Sequence, residues 1–444
     1  MPGEHTVAVV GGGLSGLAAA VALGSAEQKV TVFESRPFLG GRATSYPLNT
    51  ADENSPTIDN CQHVLLRCCT NLLDFYNRLD ARDRIRFYRE FYWIEPGGRM
   101  SIMRRGSLPA PLHFTGSFAK LRFLSISGKM AVASALLAIR YEYGKRADLD
   151  RITMLDWLRE KKQPQPVIER FWKQILVSAI NEDLDRMAAS HGLQVFYLGF
   201  LARADSYEMG VPAVPLAELY SERAWSRHPH VRIQRRTNVQ QMRIEDGRVT
   251  GLLANGEWVT ADAYVLAVPF DRIAALAPGL QIDLSPFSHS PITGIHLWFD
   301  RPVTNLPHAT LLDRTIQWMF NKDGGRYIQL VVSASRTLTE MSRADVIDLA
   351  LCELKEFFPR AKDAIMERAH VVKEVRATFS ATPKLENLRP HSATELPNLF
   401  LAGDWTHSGW PATMEGAVRS GYLAAEAVMK SFDESWRFLL PELA

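Results

Sequence analysis

The sequence predicts an α/β fold: an open parallel sheet carrying an antiparallel insertion, joined to a second, mixed α+β domain. Three observations carry that expectation. A strand, a glycine turn and a helix open the chain; a second strand ends in an acid; and a strand, a Gly-Asp pair and a helix recur near the carboxyl end.

Thr6-Val-Ala-Val-Val10 reads as a buried parallel strand, Gly11-Gly-Gly-Leu-Ser-Gly16 as a tight turn, and the alanine-rich stretch from Leu17 to Leu23 as a helix. Gly11, Gly13 and Gly16, with Leu14 and Ser15 between them, have the G-x-G-x-x-G spacing. The first glycine turns the chain, the second lets backbone approach a pyrophosphate, and the third lets helix and strand pack closely. The helix N-terminus attracts the anion. Lys29-Val-Thr-Val-Phe33 is the next strand. It ends in Glu34, 18 residues after Gly16, close to the ~20 expected of a carboxylate that accepts from a ribose hydroxyl. The unit is a Rossmann-like dinucleotide site.

Ser35, Arg36 and then Leu39-Gly40-Gly41-Arg42 follow directly. This run resembles the G-G-R continuation of FAD enzymes in the amine oxidase and carotenoid desaturase superfamily. The resemblance implies FAD as cofactor and places Arg42 along its diphosphate, which suits the planar fork of a guanidinium.

Residues 398–402 read as a buried strand, Gly403-Asp404 as the turn at its carboxyl end, and Thr413-Met-Glu-Gly-Ala-Val as a helix start. Ligands of open α/β sheets sit beyond the carboxyl ends of strands, and a helix N-terminus aimed at a flavin stabilises negative charge on its reduced ring. The superfamily resemblance implies that Gly403 and Asp404 meet diphosphate and ribityl chain. It sets Met414, Glu415, Gly416 and Ala417 beside the isoalloxazine, mainly through backbone. Residues 237–252 read as two strands about Asp246-Gly247, with a third run before the strand at Ala263. FAD proteins of this kind carry such a β-meander, which implies that the Val239 backbone meets adenine. The FAD domain is therefore expected to be discontinuous, over residues 1–85, 225–285 and 390–430. Residues 86–224 and 286–389 would form a substrate-binding and lid domain, and 431–444 a tail.

Composition narrows the function. The chain has 444 residues, 46% of them apolar and 23% charged, with a net charge of +2. That is an ordinary globular balance with no case for nucleic acid. Four cysteines without paired spacing suit neither a disulfide framework nor a metal site, and fit a reducing, cytoplasmic compartment. The start of the chain lacks the basic and long apolar regions of a secretory signal. Residues 96–141 hold seven basic residues (Arg99, Arg104, Arg105, Lys120, Arg122, Lys129 and Arg140), no acidic one, and interleaved Phe114, Phe118, Leu121, Phe123, Leu124 and Ile126. Such a segment suits a peripheral contact with the inner face of the cell membrane. It equally suits a helical lid whose aromatics are core. Both readings stand.

Asp59-Asn-Cys-Gln-His63-Val-Leu-Leu and its continuation to Leu79 closely resemble the hydroxysqualene dehydroxylase family, also called squalene-associated FAD-dependent desaturases. So do Arg376-Ala-Thr-Phe-Ser-Ala-Thr-Pro383 and residues 402–418. The resemblance runs from residue 5 to about residue 430, with Cys61 where a glycine is expected, a change that would alter the loop. It implies reduction of hydroxysqualene to squalene, a C30 isoprenoid, by hydride transfer from reduced flavin to an allylic cation. It also implies substrate contacts from Gln62, Arg376, Thr378, Phe379 and Trp410. His63 is the first candidate for the proton donor to the leaving hydroxyl, with a purely structural hydrogen-bonding role equally open, and Asp59 the second. Only one dinucleotide fingerprint is visible, so the sequence names no electron donor. The alternatives are a phytoene-type desaturase and, in another class, a non-catalytic isoprenoid carrier, against which the intact Glu34, Arg42 and Gly403-Asp404 set argues.

Overall fold

Runs of small and β-branched residues at the two ends of the chain fold onto one another. A computed structural model describes residues 4–49, 52 and 55–443. Its nucleotide-binding part comprises β1 (Thr6–Val10), α1 (Leu14–Ser25), β2 (Lys29–Glu34), α2 (Thr70–Arg78), β3 (Val231–Arg235), β4 (Ala263–Leu266), β5 (Leu399–Leu401) and α3 (Met414–Ser431). The five strands form one sheet in the order β3-β2-β1-β4-β5, every neighbouring pair parallel. Residues from opposite ends of the sequence thus lie two strands apart, with carboxyl ends on one edge.

α1 is alanine-rich and buried along almost its whole length because the sheet covers one side and α3 the other. Gly16 permits this. A Cβ there would lie 2.0 Å from the Gly11 carbonyl oxygen, so any side chain would push the helix off the strand. After β3 the chain makes an antiparallel meander of Val239–Glu245, Arg248–Ala254 and Glu257–Val259. Its first turn places Asp246 and Gly247 both at positive φ, the conformation of a two-residue hairpin loop.

A second, seven-stranded sheet takes strands from two distant stretches. Glu90–Ile94 and Met100–Arg104 extend a sheet made by His289–Phe299, His308–Leu311, Trp318–Asp323, Tyr327–Ser333 and Met366–Phe379. One face, bearing Ile295, Leu297, Leu330 and Met319, is covered by the helix Arg343–Phe357. The other bears Phe91, Trp93, Phe320 and Val331 and packs into a core shared with the helical stretch of residues 121–201. The last residues carry no regular structure but are pinned. Glu426 accepts from the Phe438 and Leu439 amides at 2.7 and 2.8 Å, and the Asn71 side-chain oxygen accepts from the Leu440 amide at 2.8 Å.

Candidate functional site

The carboxyl edge of the parallel sheet is where two glycine turns meet. Gly13 caps α1 in extended conformation with no side-chain cap, so the first-turn amides point outward without an internal acceptor. The Gly40 amide donates to the Gly12 carbonyl at 2.8 Å. A Cβ on Gly41, whose φ is +62°, would lie 3.0 Å from Gly13 Cα. The two turns form a backbone-lined cradle that only glycines allow.

Glu34 holds this cradle from below. Its Oε2 accepts from the Gly12 amide and its Oε1 from the Arg36 amide, each at 2.7 Å, and Ser35 Oγ donates to Oε1 at 3.2 Å. A carboxylate oxygen has two acceptor positions, so Oε2 keeps one for a ribose hydroxyl. The Thr237 amide donates to the Glu34 carbonyl at 2.8 Å, which brings the start of the meander, with buried Val239, alongside.

Arg42 joins the third segment. Its Nη2 donates to Asp404 Oδ1 at 2.8 Å and its Nη1 to the Ala377 carbonyl at 2.7 Å. Loss of solvation works against its charge, but the Asp404 carboxylate, with the Glu374 and Asp271 charges beyond it, more than offsets this and holds its pKa above the ordinary arginine value. The Gly403 amide donates to Ser420 Oγ at 2.9 Å, fixing the turn to α3. A cradle of free amides, an acid at the ribose position and a half-buried guanidinium are the donor and acceptor set that a dinucleotide diphosphate needs.

The family profile described as flavin containing amine oxidoreductase matches residues 14–429. The chain belongs to that family. Its cofactor is FAD, and the residues just described fit it. A chloroplastic/chromoplastic 15-cis-phytoene desaturase of an Oncidium hybrid cultivar is 27% identical, covering 96% of this chain and 78% of its own. A probable zeta-carotene desaturase of Synechococcus elongatus is also 27% identical, covering 96% and 98%. Among solved structures, an oxidoreductase from Methanosarcina mazei has a TM-score of 0.72 at 17% identity, covering 96% and 100%. A putrescine oxidase triple mutant has 0.71 at 16%, covering 96% and 99%. These likenesses carry the amine oxidase-like two-domain fold.

Within this flavoprotein the expected catalytic loop lies between the two sheets. Asp59 Oδ2 accepts from Lys322 Nζ at 2.8 Å, and its Oδ1 accepts from Ser45 Oγ at 2.6 Å and the Leu216 amide at 3.1 Å. Burial alone would raise the carboxyl. Lys322, then the hydrogen bonds from Lys322, Ser45 and Leu216, more than offset it and hold the pKa below the usual carboxylate value. Asp59 is therefore an ion at neutral pH, which corrects the expectation that it donates a proton. Lys322 also donates to Gln62 Oε1 at 3.1 Å, so Gln62 is oriented by the seven-stranded sheet.

Cys61 occupies the expected glycine position with φ +61°. It adopts the left-handed backbone that a glycine takes freely, so the loop keeps a glycine-type turn and the strain of about 1 kcal/mol falls on the cysteine. Burial, followed by the Glu374 charge, pushes its thiol up to about 12, which leaves it protonated.

His63 is half-buried, with Nδ1 3.4 Å from the Cys61 carbonyl. A carbonyl only accepts, so Nδ1 carries the proton and Nε2 of the neutral ring is an acceptor. Burial lowers the His63 pKa, with Asp59 pulling partly the other way. The neutral ring dominates at pH 7. Proton donation from His63 requires the imidazolium, a state that burial opposes.

The remaining expected residues divide. Phe379 is buried, edge-on to Phe287 at 6.1 Å, and Phe287 is edge-on to buried Trp405 at 6.0 Å. Thr378 is buried too, but its hydroxyl already accepts from Asn181 at 2.9 Å. Arg376 is largely exposed and paired with Asp271 at 2.5 Å. The structure does not bring it to the site, because alternation along the strand turns it outward while the neighbouring Ala377 carbonyl faces Arg42. Trp410 is buried against Cys68 and Leu198, and its Nε1 donates to Glu442 at 2.8 Å. Glu415 points away from the cofactor edge. Its carboxylate accepts from the Asn71 and Leu72 amides at 3.2 and 2.7 Å and so caps α2. Its backbone, with Met414, Gly416 and Ala417, opens α3, whose Gly416 amide donates to Thr413 Oγ1 at 3.0 Å.

Three residues escaped sequence reasoning. Lys322 sits in a strand with nothing to mark it. Arg389, its side chain wholly buried, donates to the Asp404 and Trp410 carbonyls at 2.9 and 2.8 Å and so braces the 404–410 loop. Asn60 donates to the Arg42 carbonyl at 3.0 Å and Glu374 at 3.3 Å. Only the position of Asn60 inside the Asp59–His63 motif hinted at a role.

Proposed function

We propose that this flavoprotein reduces hydroxysqualene to squalene, serving bacterial hopanoid or sterol precursor synthesis from the inner face of the cell membrane. The supporting observation is a convergence at Arg42. All three stretches that resemble hydroxysqualene dehydroxylases, residues 59–79, 376–383 and 402–418, reach it, through Asn60 on its carbonyl and Ala377 and Asp404 on its guanidinium.

When bound and reduced by an external two-electron donor, the flavin would supply the hydride and return to FAD. The chain must hold a C30 isoprenoid, keep water from an allylic cation and help a hydroxide leave. Phe287, Phe379 and Trp405 supply an apolar wall that excludes water. The Lys322 and Asp59 pair, kept as ions, orients Gln62 rather than moving a proton. The protonated His63 ring delivers the proton to the leaving hydroxyl, so this step strengthens as pH falls.

A carotenoid-type desaturase is the second reading, favoured by the phytoene and zeta-carotene desaturases that resemble the chain. Anaerobic reduction of the purified enzyme followed by addition of hydroxysqualene separates the two. Flavin reoxidation with one squalene per flavin supports the dehydroxylase. No reoxidation, with oxidised enzyme instead bleaching on a polyene, moves the assignment to the desaturase.

A further inference from the structure

Residues 126–142 form a helix, Ile126–Glu142, with two unlike faces. Gly128, Val132, Ala135 and Ile139 are buried against residues 165–167 and 189–201, and the Gln163 side chain donates to the Ala131 carbonyl at 2.9 Å. The opposite face is also apolar. Ile126, Met130, Leu137 and Tyr141 expose 83, 68, 57 and 70% of their surface, with exposed Ala133 and Ser134 between them. At about 100° per residue, these six side chains fall within an arc of roughly 100°. A soluble helix places polar residues on such an arc. This one carries a stripe of large apolar side chains.

Basic residues border the stripe. Lys129 and Arg140 lie along one side of it by the same angular count, and exposed Lys120 and Arg122 immediately precede the helix. Arg105, Lys120, Arg122 and Arg140 form no ion pair with a described carboxylate, whereas Arg104 pairs with Glu90 at 3.0 Å. The segment leading to the helix further exposes Leu108 and Leu112. No acidic residue occurs from position 96 to 141. Among the described residues no helix is long and apolar enough to cross a membrane.

We propose that the exposed stripe of Ile126–Glu142, with Arg105, Lys120, Arg122 and Arg140, is a docking face for an anionic lipid surface. Apolar side chains sink into the acyl boundary while the basic rim meets lipid phosphates. Charge complementarity selects this occupant over a second copy of the chain. A twofold contact would set the same basic residues against each other with no carboxylate of the segment to neutralise them. The proposal deepens the reading of an isoprenoid substrate, since such a molecule resides in bilayers. Its test uses no substrate, so the two can fail separately.

FAD-loaded protein is sedimented with vesicles of phosphatidylcholine alone and of phosphatidylcholine with phosphatidylglycerol. Binding should favour the anionic vesicles and fall as salt rises. Each basic residue near such a surface contributes about a fivefold gain in partition, so reversing Arg105, Lys120, Arg122 and Arg140 to glutamate should weaken it by at least about 100-fold. I126S, M130S and L137S together should weaken it further on both vesicle types, with flavin absorbance unchanged. Hydrogen exchange on the unmodified protein gives a control free of folding effects, since vesicles should slow exchange over residues 126–142. Wild-type protein that ignores anionic vesicles, a charge-reversed protein that binds undiminished, or a solution dimer that the three serines dissociate would each overturn the proposal.

Discussion

Arg42 and Asp404 stand 362 positions apart in the chain and share a 2.8 Å ion pair at the carboxyl edge of the parallel sheet. The pair links the turn after β2 to the turn after β5, and Arg389 braces Asp404 from behind through its carbonyl. A diphosphate on the glycine cradle would find this guanidinium already oriented.

Arg42→Lys should retain charge but lose the fork that serves Asp404 and Ala377 together. Hydrogen bonds to charged groups contribute about 1.5–3 kcal/mol, so FAD should bind some 10- to 100-fold more weakly in titration of the apoprotein. Equal affinity would remove Arg42 from the cofactor site.

Glu34→Ala deprives the Gly12 and Arg36 amides of their acceptors. The apoprotein should lose roughly 1–3 kcal/mol in denaturant unfolding, and the holoprotein should also shed FAD on dialysis. Loss of stability with full FAD retention would mean that Glu34 serves the turn alone.

Cys61 isolates a backbone effect. Cys61→Gly should be more stable than Cys61→Ala by about 1 kcal/mol, since both remove the thiol and only glycine relieves the left-handed strain. An alanine variant at least as stable as the glycine one would contradict the strain.

Asp59→Asn leaves the Lys322 ammonium, 16% exposed, without its counter-charge. Breaking a buried pair from one side destabilises by roughly 3 kcal/mol. The folded carboxyl lies below its ordinary pKa, so its stabilisation is complete above about pH 4 and lost as pH falls through the folded value. Chemical unfolding at pH 7 should separate wild type from Asp59→Asn, and the gap should narrow at pH values below about 4.

His63→Ala should lose turnover while keeping FAD and substrate binding. The wild-type rate constant for flavin reoxidation should rise as pH falls below about 6.5, because burial lowers the His63 pKa. The variant should lack that limb. A variant profile that overlays wild type would assign His63 a structural role.

The cofactor half of this molecule was legible because its chemistry is carried by backbone and local spacing. Gly11, Gly13, Gly16, Glu34 and Gly40-Gly41-Arg42 lie within 32 consecutive residues, in or shortly after two strongly patterned strands and the helix between them. The other half is made by long-range register. Nothing near Lys322 announces that an antiparallel sheet will carry it to Asp59, and nothing near Arg389 marks a guanidinium buried beneath a loop. Arg376 shows the opposite error. It belongs to a distinctive motif, yet the strand turns its side chain to solvent and presents the carbonyl of its neighbour instead. At Cys61 the chain takes the left-handed backbone that suits a glycine, with Gly294 packed so close that a Cβ built on it would lie 3.5 Å from Cys61 Cα, a conformation that the residue type alone does not announce.

The Lys322–Asp59 contact has a consequence for traffic through the molecule. It bolts the seven-stranded sheet to the loop beneath the cofactor edge, and the Arg42–Ala377 bond adds a second fastening to the same seam. Parting the seam would give up that ion pair and the hydrogen bonds of both contacts before water replaced them. A jaw-like opening at that point is therefore disfavoured in the resting protein, and the isoprenoid of the proposed reaction would meet less resistance along a route that leaves the seam shut.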